Sequence, residues 1–236
     1  LVGALGETGR GVFMLTKGPS STPEFLESLA ADTGRPVIIA ALLHNSTRPD
    51  ATFRDLEAIG QAQERGNPLW GQVSCCPLTT EFTLEAPYPL EGIDSWKPAL
   101  TASPDEQRAL FASPRFREDV ARDLETPVAV RLFNGEWEKV RVVEPRDDVN
   151  RHLESRTSAE IARDAGTTPL ECMLDLALSE DLKTLFVAEL LNSDEDAVGR
   201  MLCDPYSTIT LSDAGAHLTF FCDAGYGLRL LGHWVR

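Results

Sequence analysis

The sequence predicts an α/β fold in which strand–helix units build a mostly parallel sheet. Three observations predict it. Short apolar runs alternate with capped helical segments through the first half of the chain, the order of βα units. The run Val37-Ile38-Ile39-Ala40-Ala41-Leu42-Leu43 is continuously apolar, as a strand covered on both faces must be. The 236 residues, 42% hydrophobic and 25% charged, have the composition of a soluble globular protein with enough chain for one substantial core.

The elements follow in order. Val12-Phe13-Met14-Leu15 reads as the first strand. Ser21-Thr22-Pro23-Glu24 opens a helix with a cap residue and proline in the first turn, and Gly34 closes it. Val37–Leu43 is the second strand. Phe53, Leu56 and Ile59 mark the inner face of a helix that stops at Gly66, and Leu69 to Ser74 supplies a third strand.

Regular alternation breaks between Pro77 and Pro104, where Pro87, Pro89, Pro98 and Gly92 predict an extended excursion without regular elements. Ser103-Pro104-Asp105-Glu106 starts helical material that runs, broken at Pro114, to about Leu124. Val128–Phe133 and Trp137–Val143 read as two strands joined by a hairpin turn at Asn134-Gly135. The whole of residues 77–156 is expected to be an insertion.

Thr157-x-x-Glu160 and Thr168-x-x-Glu171 are capping boxes, the second with Pro169 at the first helical position. Leu185–Leu191 reads as an edge strand. Ser193-x-x-Asp196 opens a helix that delivers the chain to a last strand near Ser207. Beyond it, Leu228, Leu231 and Val235, with Leu230 and Trp234, form one apolar helical face that meets no stop signal. The chain also starts at Leu1 without methionine, so it reads as an internal piece of a longer protein.

Charge removes several functions from consideration. With 22 basic against 37 acidic side chains and a net charge of −15, the chain lacks the Lys/Arg excess that nucleic acid or an anionic membrane surface requires. No stretch reaches the apolar length of a membrane span. The five cysteines are odd in number and only Cys75-Cys76 are close, which supports neither a disulfide framework nor a CxxC metal pattern. A reducing cytoplasm is the expected compartment. Nucleophile-elbow and phosphate-loop motifs are missing, and Gly3, Gly6, Gly9 and Gly11 precede a strand instead of following one.

Candidate chemistry gathers where strands end. Thr208-Ile209-Thr210-Leu211 runs into Ser212-Asp213-Ala214-Gly215, placing the Asp213 carboxylate past the C-terminal end of a short β-branched run. An ionised Asp there can take a proton from water or hold a metal; an Asx-turn or helix cap would use the same residues. His44 follows the second strand, where a neutral imidazole suits zinc and a loop histidine is the alternative. Gln72 on the third strand is a candidate amide donor. His217, four residues past Asp213, and Arg229 are candidates for binding substrate. Arg229 has the alternative of pairing with Asp223.

The residues after Thr208 carry a resemblance. Leu211-Ser212-Asp213-Ala214-Gly215-Ala216-His217, then Tyr226-Gly227, Arg229, Leu231-Gly232 and Val235-Arg236, resemble the region after the last barrel strand in the amidohydrolase superfamily, in particular its D-aminoacylase (N-acyl-D-amino-acid deacylase) group. Thr157–Ala162, Pro169-Leu170 and Asp175-Leu176 resemble the same group's approach to that strand. The resemblance implies part of a (β/α)8 TIM-type barrel, its later strands, with residues 77–156 as a lid over the barrel mouth. It implies a zinc-dependent hydrolase of non-peptide carbon–nitrogen bonds acting on an N-acyl amino acid or related amide, with Asp213 as catalytic base. Asp213 and His44 are its candidate metal ligands; His217, Gln72 and Arg229 are its candidate substrate-binding residues. The pattern also differs from that group. Its Ser-His at the end of one strand reads Ala40-Ala41 here, its ligand histidine on another reads Thr16, and no His-x-His occurs. The piece alone is therefore expected to be inactive and to bind metal weakly. A metal-free relative serving as a binding or scaffold protein, and a hydantoinase-like or dipeptidase-like hydrolase, remain alternatives.

Overall fold

The computed structural model describes residues 1–18, 20–128, 131–212 and 225–235. Contacts divide the chain into two units: Leu1–Pro77 together with described residues from 191 onward, and Leu78–Leu190.

The first unit opens with α1 (Val2–Thr8) and then alternates β1 (Phe13–Thr16), α2 (Pro23–Thr33), β2 (Val37–Leu42), α3 (Ala51–Glu64) and β3 (Leu69–Val73). The starts and stops follow from local chemistry. The Thr22 hydroxyl accepts the Phe25 amide, Pro23 occupies the first turn, and Gly34 ends α2 at φ 62°, a conformation that costs glycine nothing. The strands are parallel and in sequence order, with Phe13 opposite Val37 and Val37 opposite Leu69.

Leu26 and Ala30 of α2 and Leu56, Ile59 and Ala62 of α3 bury one face of this sheet against Val37, Ile39, Leu42, Leu69 and Val73. Close approach explains Gly71: a Cβ there would sit 2.6 Å from a Leu42 methyl and 3.2 Å from one of Ile59. Pairing of β2 with β3 shifts register between Ile39 and Leu42, so Leu42 shares the helix-covered face with Val37 and Ile39 despite the odd spacing.

The second unit contains β4 (Leu78–Phe82), α4 (Lys97–Leu100), α5 (Pro104–Ala112), α6 (Pro114–Leu124), β5 (Val140–Glu144), α7 (Ser158–Ala165), α8 (Pro169–Ser179) and β6 (Leu185–Leu191). Its three strands form a separate sheet in the order β4-β6-β5, with β5 and β6 antiparallel. Trp96, Phe111 and Phe116 pack ring against ring at 5.3–5.5 Å, and Phe82 stacks on Phe186 at 5.6 Å. Both expected capping boxes, at Thr157 and Thr168, are present.

The chain then returns to the first unit through α9 (Glu195–Leu202), β7 (Ser207–Ile209) and α10 (Tyr226–Arg229), which continues as a π-helical turn over Leu230–Trp234. β7 joins the first sheet parallel to β3, giving the order β1-β2-β3-β7. The second unit is thus inserted, in sequence, between β3 and the helix that precedes its parallel neighbour. Four parallel strands with helices are present, and among the described residues they do not close into a barrel.

Several expectations need correction. The excursion after Pro77 contains a strand, β4, together with short helical turns. No hairpin forms at Asn134-Gly135: β5 pairs with β6, and the described residues of 128–133 are not a strand. Asn134 instead turns its carboxamide inward, accepting the Val128 amide and Arg131 Nε, and so ties a loop. β6 is central in its sheet, not an edge. Asp194, one residue beyond Ser193, is the cap of α9 and accepts the Ala197 amide. Leu228, Leu231 and Val235 lie in or beside the terminal helical turns and are exposed by 80%, 67% and 66%.

Candidate functional site

The C-terminal ends of the parallel strands collect the candidate residues. Lys17 follows β1, His44 follows β2, Ser74-Cys75-Cys76 follow β3, and Ser212 follows β7. Leu211 donates its amide to the Val73 carbonyl, extending the pairing of β7 with β3 to the residue before Ser212.

His44 is buried, and its ring lies against Phe53 of α3, centroids 6.4 Å apart. That is the helix-covered side. The register shift in β2 accounts for it, since residues alternating onward from Leu42 place position 44 on the face that Leu42 shares with the helices. The main chain there is fixed from two directions. Thr52 Oγ1 donates to the Leu43 carbonyl, and Asn192 exchanges a pair of hydrogen bonds with His44.

Asn192 is the residue that sequence reasoning missed. It sits just past β6, buried, with φ 55°, a left-handed conformation that asparagine tolerates better than most residues. Its Oδ1 accepts the His44 amide at 2.6 Å and its own amide donates to the His44 carbonyl at 2.9 Å. Its Nδ2 donates to the carbonyls of Ser74 and Cys76, both at 3.2 Å. The remaining carbonyl of that turn, Cys75, accepts Trp234 Nε1 at 2.9 Å, while Cys75 Sγ lies 3.2 Å from the Tyr226 carbonyl. Three consecutive carbonyls are thereby held by two side chains distant in sequence. The only local sign was an asparagine directly after an apolar run.

Other predicted residues have plain places. Gln72 is buried on β3, its Cα opposite Thr208 of β7. Lys17, not one of the predicted site residues, directs its ammonium at both oxygens of Asp55, 2.6 Å each. Arg229 pairs with Glu195 at 3.4 Å, and His233 Nε2 reaches the same Glu195 oxygen at 2.9 Å, so α9 and the terminal helical turns share a polar latch. Asp213, His217 and Asp223 lie outside the described residues.

A zinc site can be tested against the groups present. Among the described residues, no three of His, Cys, Asp and Glu come together. The described residues alone do not fit a zinc ion. Among them, no helix is long and apolar enough to cross a membrane.

No family model and no curated protein matches the sequence. Solved structures do. A D-aminoacylase described for its binuclear metal centre aligns over 98% of this chain and 38% of its own, at 16% identity and a TM-score of 0.44. An N-acyl-D-glutamate deacylase from Bordetella bronchiseptica, complexed with zinc and a phosphonate mimic of the tetrahedral intermediate, aligns over 88% and 33%, at 14% identity and 0.36. A D-aminoacylase described as defining a novel subset of amidohydrolases aligns over 87% and 32%, again at 14% and 0.36. These neighbours are D-aminoacylase-type amidohydrolases, and the chain spans about a third of their length.

Proposed function

We propose that this chain is part of an amide hydrolase of the amidohydrolase kind, acting on an N-acyl amino acid or a related small amide. Asp213 is its general base: the carboxylate takes a proton from the attacking water and returns it to the leaving nitrogen. The observation that carries this reading is the strand before it. β7 runs parallel to β3 and hands Leu211 to the Val73 carbonyl, so Ser212-Asp213 follow the C-terminal end of a parallel strand, the edge at which α/β enzymes assemble their sites. Gln72 is the candidate amide donor to substrate, with His217 and Arg229 as further binding candidates. Zinc belongs to this reading by resemblance alone. Asp213 and His44 are its candidate ligands, and any further groups would come from outside the described residues.

Asp213→Asn in the full-length protein tests the assignment. Removing a positioned general base is expected to lower turnover by about 10²- to 10⁴-fold, with the thermal unfolding transition unchanged. The assay is hydrolysis of a panel of N-acyl-D-, N-acyl-L- and cyclic amides. Near-normal turnover by the variant discards Asp213 as the base.

A second reading is a metal-free relative that binds a ligand or scaffolds a partner. The place of His44, buried against Phe53 of α3, favours it, as does Thr16 where the resembling group carries a ligand histidine. Metal analysis of the full-length protein separates the two.

A further inference from the structure

We propose that Asn192 is the positioning residue of this edge, setting the Ser74-Cys75-Cys76 turn against the end of β7. The inference rests on the hydrolase reading and assigns a part in it to a residue well separated in sequence from Asp213. Three observations carry it.

First, the carboxamide is fully committed. Oδ1 accepts from His44, and both Nδ2 hydrogens go to carbonyls of the turn, Ser74 and Cys76. An amide is the one neutral side-chain group that accepts and doubly donates at once. Aspartate lacks the two donors, and leucine lacks everything.

Second, the turn it holds borders both ends of the stretch that bears Asp213. Val73, just before the turn, accepts the Leu211 amide, while Cys75 at its centre contacts Tyr226 and Trp234. The chain therefore leaves for residue 213 from beside this turn and is back on it by residue 226. A displacement of the turn is transmitted to both anchors.

Third, Asn192 adopts a left-handed φ of 55° in a buried position, with its own amide spent on the His44 carbonyl. Backbone and side chain together fix the loops after β2, β3 and β6 to one another. Misplacement of a reacting group by about 1 Å can cost on the order of 10²-fold in rate, so a clamp on Ser74, next to the Val73 carbonyl that holds Leu211, controls turnover without touching substrate.

The experiment is Asn192→Gly in the full-length protein, because glycine keeps the left-handed backbone and deletes only the carboxamide. Turnover is measured per folded molecule, with the folded fraction taken from circular dichroism. The expected result is a fall in kcat of about 10- to 100-fold with KM within about twofold of wild type. Asn192→Asp, which retains the acceptor but not the donors to Ser74 and Cys76, is expected to match it. If Asp213→Asn abolishes turnover while both Asn192 variants keep wild-type kcat per folded molecule, the positioning role is overturned and the hydrolase reading stands. If the wild-type protein hydrolyses none of the amides, the hydrolase reading falls and this role falls with it.

Discussion

Asn192 in the first unit and Glu180 in the second are both buried polar side chains that clasp loops, and they do so with opposite chemistry. Asn192 is neutral and joins main-chain donors and acceptors together: one amide and two carbonyls through its side chain. Glu180, at the end of α8, gathers donors only. It accepts the amides of Arg146 and Asp147, the Asn150 carboxamide and the Thr184 hydroxyl. Burial works to raise the Glu180 pKa, but the hydrogen bonds from Thr184, Asn150, Arg146 and Asp147 outweigh it and hold the carboxyl below its usual 4.5. The difference teaches that a clasp made only of donors favours an anion and inherits its titration. A clasp of mixed donors and acceptors requires an amide and is indifferent to pH.

Exchanging the chemistry of the two clasps breaks the comparison most directly. Asn192→Asp places a carboxylate against two carbonyls that have lost their donors, a destabilisation of about 3 kcal/mol at neutral pH. The deficit should shrink as pH falls, because protonation removes the charge and restores one donor. Urea unfolding across pH measures both. A variant as stable as wild type at neutral pH would mean that the Ser74 and Cys76 carbonyls do not depend on Nδ2.

Glu180→Gln should cost about 2 kcal/mol, and its deficit should also shrink in acid, here because the wild type loses stability and not because the variant gains it. The wild-type carboxylate has a lowered folded pKa, so its contribution is fully present above the unfolded value of 4.5 and disappears as pH falls through the lower folded one. The gap between wild type and variant should therefore narrow in acid. A gap that stays constant through this window would remove the electrostatic half of the comparison.

The smallest effect sharpens it by contrast. Thr168 caps α8 by accepting the Glu171 amide on an exposed helix end, and Thr168→Ala should cost about 1 kcal/mol, as read by the same unfolding measurement. A cap lost at the surface is replaced by water, whereas Asn192's partners, His44, Ser74 and Cys76, are buried.

Legibility in the sequence divides along similar lines. The helix starts at Thr22, Ser103, Thr157 and Thr168 were readable because the capping hydroxyl and its amide lie three residues apart. Asn134-Gly135 misled because an asparagine able to turn a hairpin can equally bond Val128 and Arg131 across a loop, and only the strand partners decide between them. Leu185–Leu191 alternates burial along its length, a pattern shared by edge and central strands, so its position between β4 and β5 had no local signature. In the candidate site, the approach of β7 to Ser212 was legible as a β-branched run. Asn192 was not, since its partners lie more than a hundred residues away in sequence.

By itself, the sequence determined local matters: the helix starts at Thr22, Ser103, Thr157 and Thr168, that the first strands alternate with helices in a parallel sheet, and that a carboxylate follows the β-branched run after Ser207. These rest on interactions within a few residues and on the period of apolar side chains. Tertiary structure alone decided the direction of His44. A one-residue register shift between Ile39 and Leu42 reverses the alternation after it and turns the imidazole to Phe53. It also decided that an amide from beyond β6 holds the turn after β3. Neither has a local cause, because a strand's register and a buried amide's partners are settled only when separate segments compete for the same space and the same hydrogen bonds.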